Sequence, residues 1–295
     1  MSEGFRPRRA GAAKLRRRLA NLDLDLPVEQ QREGFARLLG LTEVAMPEHA
    51  LERLEFGGIA CLRIECLGLE RSDRAPLVHL HGGGYSLGSP ETHRPLAARL
   101  SRRLAAPVLL PRYRQPPEHP CPAALEDMLA LWRALPDSHS RTLLGDSAGA
   151  GLALSLVMAL RDAGERLPER VVLMSPWTDL SLSGASIDAQ SQTDAFFARP
   201  GLELMAGRYA GSLDRRDPRV SPLWGELGGL PPLLIQAGAE EALLDDSTRL
   251  AERVRAAGGE VELQVWPGQG HVFQATPMLD AAGEAIVAIA QWLAR

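Results

Sequence analysis

Two short runs in the chain carry residue types suited to one chemistry. His81-Gly82-Gly83-Gly84-Tyr85 offers backbone N–H groups unhindered by side chains, and Gly145-Asp146-Ser147-Ala148-Gly149 places a serine between glycines where an apolar strand pattern gives way to an alanine-rich helix pattern. A serine on such a turn can attack a carbonyl, and free amides beside it can hold the oxyanion that forms. Gly145 and Gly149 suit a turn too tight for side chains, and Ser147 falls near a helix N-terminus, where the dipole favours negative charge. G-x-S-x-G alone arises often by chance, and a serine N-cap would explain it. The two runs in this order, each ending an apolar segment, make acyl transfer the stronger expectation.

A serine hydroxyl needs a base to take its proton. The chain has seven histidines, His49, His79, His81, His93, His119, His139 and His271. Where a serine sits on this kind of elbow, acid and then histidine follow it in the chain, and only His271 follows Ser147. His81 is expected to support its loop, and His79, inside a strand pattern, to be a core histidine. The acid should leave the strand pattern Leu233 to Ala237, where Glu240, Glu241, Asp245 and Asp246 are candidates. Asp245 and Asp246 precede a helical pattern, so one of them suits an N-cap or first-turn position. Spacing divides the candidates weakly. Gly83, Gly84 and Ala148 are the expected oxyanion donors, while Glu126 and Asp127 lie on a predicted helix before the serine and read as solvated or packing residues. The phosphate patterns G-x-x-x-x-G-K-[ST] and G-x-G-x-x-G are absent from the glycine loop.

The elements that must position these groups alternate along the chain. Strands are predicted at Leu54 to Glu65, as a hairpin broken at Gly57-Gly58, and at Leu77 to Leu80, Val108 to Arg112, Thr142 to Gly145, Val171 to Ser175, Leu233 to Ala237 and Val261 to Trp266. Helical patterns lie near Pro95 to Leu104, Ala123 to Leu135, Ala148 to Ala163, Ser247 to Ala257 and Leu279 to Leu293. Such alternation predicts a parallel sheet with helices on both faces. The helical stretch before Leu51 and the long interval from Pro176 to Pro232 do not fit it. The interval's helix-like Leu202 to Tyr209 and its aromatics Trp177, Phe196, Phe197 and Trp224 suggest an ordered lid. The expected organisation is residues 1–50 as the N-terminal part of a cap, 51–295 as the catalytic domain, and 180–222 as an insertion completing the cap.

With 295 residues the chain can bury a large core, and its net charge of −4 offers no nucleic-acid footprint. Cys61, Cys66 and Cys121 lack metal or disulfide spacing and read as buried thiols. No apolar run reaches the roughly 20 residues of a membrane span. The basic start, Arg6 to Arg18, lacks an apolar signal core, and Leu15, Leu19 and Leu22 recur beside it at helical spacing. A solvated helix face and a cytoplasmic protein are expected. No cofactor or metal is implied.

The sequence resembles the bacterial members of the hormone-sensitive lipase family of α/β-hydrolases. The resemblance runs from about Leu51 onward, through His81 to Tyr85, Gly88-Ser89-Pro90 with Thr92-His93, Tyr113-Arg114 with Pro117 to Pro120, and Pro122 to Asp127. It continues through Gly145 to Gly149, Ser175-Pro176-Trp177-Thr178-Asp179-Leu180, Asp217-Pro218 with Ser221-Pro222-Leu223, and Gly270-His271-Val272-Phe273. It implies an α/β-hydrolase fold with a mostly parallel twisted sheet and a helical cap. It further implies esterase activity on short or medium acyl chains and often a homodimer. Where many members carry Asp-Pro-Leu-x-Asp, with the first aspartate catalytic, this chain has Glu241-Ala242-Leu243-Leu244-Asp245, so the resemblance puts glutamate at the acid position, as in one branch of the family. The implied triad is Ser147, Glu241 and His271. Gln115, Pro116, Ala150 and Gln269 depart from the usual pattern, and the cap is the least comparable region. An amide, lactone or formamide hydrolase using the same site is an alternative, as is a non-catalytic small-molecule receptor, against which the intact serine, acid and histidine argue.

Overall fold

The computed structural model describes residues 22–68, 75–136, 142–190 and 198–295. The basic run from Arg6 to Arg18, with Leu15 and Leu19, and the aromatics Phe196 and Phe197 lie outside the described residues. Among those described, eight strands form one sheet. They are β1 (His49–Phe56), β2 (Ile59–Cys66), β3 (Leu77–Leu80), β4 (Val108–Pro111), β5 (Thr142–Asp146), β6 (Arg170–Met174), β7 (Leu233–Gly238) and β8 (Val261–Trp266). Their spatial order is β1-β2-β4-β3-β5-β6-β7-β8. β1 and β2 form the expected hairpin, with Gly57 and Gly58 at φ 60° and 78°, and β2 runs antiparallel to β4. From β4 to β8 every pairing is parallel.

Apolar runs without alternation are what strands covered on both faces require. β3, β4 and β7 are buried throughout. Successive side chains then serve opposite faces. Val78, Leu143, Val171, Leu173 and Ile235 pack with Met128 and Leu131 of α3 (Ala123–Ala134), Leu152 and Leu156 of α4 (Ala148–Asp162), and Leu250 and Val254 of α7 (Leu244–Ala256). Leu77, Leu144, Val172, Met174 and Leu234 pack on the other face with Leu96 and Leu100 of α2 (Pro90–Leu104) and with Ile286, Ile289 and Trp292 of α8 (Asp280–Leu293).

Helix α2 starts five residues before the Pro95 at which the pattern placed it. Ser89 and Thr92 form a capping box, each side chain bonding the other's backbone amide, and Pro90 occupies the first helical position. The box secures the first turn, so the helix passes through Pro95 with the loss of one backbone bond.

Two segments outside the alternation meet on the glycine loop. N-terminal helix α1 (Val28–Leu39) sends Arg32 to the Ser86 carbonyl at 2.9 Å, to the Pro116 carbonyl and to both oxygens of Glu118. The 176–232 interval carries the short helix α5 (Ser186–Ala189) and α6 (Arg199–Ala210), whose Tyr209 stacks on Tyr85 with centroids 3.7 Å apart. Arg208 of α6 donates to Gln31 of α1 at 2.9 Å, joining the two segments.

Asp245 and Asp246 sit in the first turn of α7 but do not cap it. Asp245 accepts from the Ser186 amide, and Asp246 accepts from the amides of Thr178 and Asp179 at 2.7 and 2.8 Å. Burial pushes the Asp246 carboxyl up to about 7, against the pull of the Thr178 amide and with a further push from Asp179. A carboxyl raised above its ordinary value stabilises the fold in its protonated form, so that contribution is full at low pH and lost as pH rises through about 7. Asp246→Asn keeps an oxygen for both amides and has no charge to desolvate. Thermal unfolding followed from pH 4 to 8 is expected to show a flatter profile for this variant and a higher midpoint than wild type above pH 7, by an amount corresponding to about 2–4 kcal/mol.

Candidate active site

Strand β5 delivers the chain to Ser147, where φ is 53° and ψ is −122°, and α4 departs at Ala148. This left-handed turn is held by its neighbours. The Ser147 amide donates to the Met174 carbonyl at 2.9 Å, and the Ser147 carbonyl accepts from the Trp177 amide at 3.1 Å. The turn is also compressed. A Cβ on Gly149 would lie 2.1 Å from the Leu80 carbonyl oxygen, and one on Gly145 would lie 2.6 Å from that of Gly149. Glycine at both positions is therefore a packing requirement.

Ser147 Oγ lies 2.9 Å from His271 Nε2, a hydrogen-bonding distance. The histidine stands on the loop after β8, and its Nδ1 lies 3.9 Å from Glu241 Oε1. Serine, imidazole and carboxylate thus form a line from β5 to the ends of β8 and β7. Glu241 is fully buried, and its other oxygen accepts from the Ser175 hydroxyl at 2.7 Å and the Gly238 amide at 2.9 Å. Burial lowers the His271 pKa to about 3, with the negative charge of Asp146 acting in the opposite direction, so the ring is neutral at neutral pH and able to accept a proton.

The glycine loop runs beside this line. Gly83 has φ 116° and its missing Cβ would lie 2.3 Å from the Gly88 amide nitrogen, while Met205 of α6 fills the space a Gly84 side chain would need. Among the described residues, the amides of Gly83 and Gly84 donate to no protein acceptor, and neither does that of Ala148 at the start of α4. His81 does not reach the serine. It packs face to face with Tyr113 at 4.3 Å, its Nδ1 lies 3.0 Å from the Gly82 carbonyl oxygen, and burial, aided by the neighbouring His93, lowers its pKa to about 3.

Asp146 beside Ser147 had no role assigned from the sequence, yet it organises the floor of the site. Its two oxygens lie 2.8 Å from His79 Nε2 and 3.3 Å from His93 Nε2, tying β5 to β3 and α2. Burial alone would raise its pKa, but the His93 charge and the bonds from both histidines hold it well below the usual carboxylate range. Of the other acids weighed, Asp127 pairs with Arg114 and Glu126 lies at the same guanidinium, away from the serine. Ser175 was also without a role. The one local signal was a polar residue ending the apolar run Val171 to Met174.

A cleft opens over Ser147 and His271. Phe35 and Leu39 of α1, Leu96, Val272 and Ala275 make its walls largely apolar. Among the described residues no group of histidine, cysteine or carboxylate side chains is arranged to hold a metal ion, and no helix is long and apolar enough to cross a membrane.

Residues 77–275 match the model of a family described as having the alpha/beta hydrolase fold. The chain belongs to this family, in its bacterial hormone-sensitive lipase branch. An acetyl-hydrolase from Streptomyces hygroscopicus is 46% identical over 207 residues, 69% of either chain. An esterase from Acinetobacter venetianus is 36% identical over 221 residues, 73% of either chain. Among solved structures, an esterase from the bacterial hormone-sensitive lipase family aligns with a TM-score of 0.88 and 34% identity over 99% of this chain and 98% of its own. A hormone-sensitive lipase from a metagenome library aligns with a TM-score of 0.87 and 36% identity over 97% and 96%.

The elbow of this α/β-hydrolase generates its own test. Gly149→Ala drives a methyl group into the Leu80 carbonyl and forces β3 and α4 apart. In matched thermal scans its midpoint is expected to fall by roughly 10 °C.

Proposed function

We propose that the protein is a serine carboxylesterase acting on short- to medium-chain acyl esters through an acyl-enzyme intermediate. The observation that carries this reading is the 2.9 Å approach of His271 Nε2 to Ser147 Oγ on the left-handed elbow. The relatives named as acetyl-hydrolase and esterase support it. Ser147 is the nucleophile, His271 the base, and Glu241 the acid that orients the imidazole. His271 takes the serine proton as Oγ attacks the ester carbonyl, then gives it to the departing alkoxide, which leaves as the alcohol. Water enters and is deprotonated by the same nitrogen, and its attack on the acyl-enzyme releases the carboxylic acid and restores the serine. The amides of Gly83, Gly84 and Ala148 receive the oxyanion in both halves. Their freedom from protein acceptors supports that assignment.

Residues 1–50 and 180–222 are proposed to form a cap over the catalytic domain of residues 51–295. Phe35 and Leu39 in the cleft wall and the Arg208–Gln31 bond support this division. A homodimer belongs to the same reading: among the described residues β8 ends the sheet, and its outer edge can accept a strand from a second copy. A cytoplasmic location is proposed as well, because Cys61, Cys66 and Cys121 are free and buried thiols.

Ser147→Ala is expected to reduce turnover of a chromogenic short-chain ester by about 10⁶-fold. Glu241→Gln should cost roughly 10⁴-fold in kcat, while Asp245→Ala leaves kcat within about 2-fold of wild type. Wild-type turnover in Ser147→Ala, or a larger loss at Asp245 than at Glu241, contradicts the assignment.

The His271 pKa sets the pH dependence. A base lowered by burial is lost only as pH falls through its own pKa, so the acid limb of kcat/KM is expected below pH 6.5, the ordinary histidine value. A limb above that value, measured with an ester whose leaving group does not titrate in the range, contradicts the buried neutral base.

A further inference from the structure

We propose that Ser175 is a positioning residue for the reaction, its hydroxyl joining the loop that carries Glu241 to the loop that carries His271. The inference rests on the Ser147–His271–Glu241 reading. Ser175 is fully buried at the end of β6, and three contacts define it. Its backbone amide donates to the Gln236 carbonyl at 2.7 Å, its hydroxyl donates to Glu241 Oε2 at 2.7 Å, and its Oγ accepts from the Val272 amide at 3.0 Å.

The direction of these bonds is forced. A serine hydroxyl has one proton, and the Val272 N–H can only donate, so the proton must point at the carboxylate. The resulting chain from Val272 N–H through Oγ–H to Glu241 is polarised toward the negative charge. One Glu241 oxygen is thereby fixed between Ser175 and the Gly238 amide, and the other is left facing His271 Nδ1. On the base side, Val272 follows His271 directly and has φ 44°, so the bond to Oγ also restrains the backbone that carries the imidazole. One oxygen atom therefore bears on the positions of acid and base together.

The backbone gives an independent argument. Ser175 has φ 49°, where any residue with a Cβ is strained and glycine is not. Glycine would relieve that strain but lacks the hydroxyl. Glutamate gives the node a specific task, because its additional methylene leaves the carboxylate a further rotatable bond, and two anchors on Oε2 remove that freedom. Three other carboxylates of this region are engaged elsewhere. Asp245 accepts from Ser186, Asp246 from Thr178 and Asp179, and Asp146 pairs with His79 and His93.

The test compares Ser175→Ala and Ser175→Gly with wild type on a short chromogenic ester across pH. Both remove the hydroxyl, but only the glycine variant relaxes the backbone. In both, kcat is expected to fall about 10- to 100-fold with KM within about 2-fold. The acid limb of kcat/KM should move to higher pH, because a Glu241 carboxylate without its hydroxyl donor draws a proton onto the facing His271 imidazole more strongly. In a Glu241→Gln background, the Ser175→Ala loss should shrink to less than about 3-fold, as for residues acting through one another. Folded variants with wild-type kcat and an unmoved acid limb overturn the proposal, as does a full additional loss in the Glu241→Gln background. If neither variant folds, the hydroxyl is a structural requirement and the proposal is likewise overturned. Ser147→Ala and His271→Ala are measured alongside. Activity retained in those two defeats the triad reading itself, whereas their inactivity beside an unaffected Ser175→Ala defeats only the role of Ser175.

Discussion

The backbone at Ser147, with φ 53° and ψ −122°, is a conformation that residues with a side chain avoid, and the surrounding structure exists in part to enforce it. β5 enters the turn already bonded to β3 and β6, and the Met174 carbonyl and Trp177 amide hold the serine's own amide and carbonyl. The start of α4 is pressed so closely on the end of β3 that a Cβ on Gly149 would lie 2.1 Å from a carbonyl oxygen. That pressure has a chemical result. It holds Oγ 2.9 Å from Nε2 of His271. The proposed nucleophile is thus placed by one constraint, and the energy that enforces it comes from the apolar packing on both faces of the sheet.

Burial acts in opposite directions on the ionisable groups beside this turn. Asp146 stays charged in the core because His79 and His93 compensate it, whereas the His271 pKa is driven to about 3. A base with so low an affinity for a proton gains from a partner that acts when the proton arrives. In the proposed mechanism Glu241, 3.9 Å from Nδ1 at rest, answers the imidazolium charge as it develops. An interaction stronger in the transition state than in the resting enzyme lowers the barrier, and a buried carboxylate held in advance by Ser175 and Gly238 spends little on reorganising.

What was legible in the sequence was local. β3 and β8 have the bounds that their apolar runs predicted, β1 starts at His49, five residues before the predicted Leu54, and the other strands agree within one residue. Helix α2 was read short because a proline inside a pattern outweighed a capping box whose second member is Thr92, not the Glu or Gln usual there. His271 was singled out by chain order. The acid was not, since Glu240, Glu241, Asp245 and Asp246 differ in where their loop turns, and the family resemblance was needed to favour Glu241. Asp146 and Ser175 escaped notice for the same reason. Their partners lie 67 and 66 residues away, His79 for Asp146 and Glu241 for Ser175, and no spacing rule spans that distance.

The proposed cap and the proposed oxyanion donors share contacts, which constrains how specificity can change in this fold. α1 reaches the loop through Arg32 and the Ser86 carbonyl, and α6 presses Met205 over Gly84 and Tyr209 onto Tyr85. The same α1 supplies Phe35 and Leu39 to the cleft. An alteration in these helices that makes room for a different substrate also shifts the support beneath Gly83 and Gly84, whose amides in the proposed mechanism must meet the oxyanion within a few tenths of an ångström. Binding and turnover are then not separately adjustable through α1 and α6. Residues of the cleft wall outside α1, α6 and the glycine loop, such as Ala275, are the positions at which pocket shape can vary while the proposed donors stay in place.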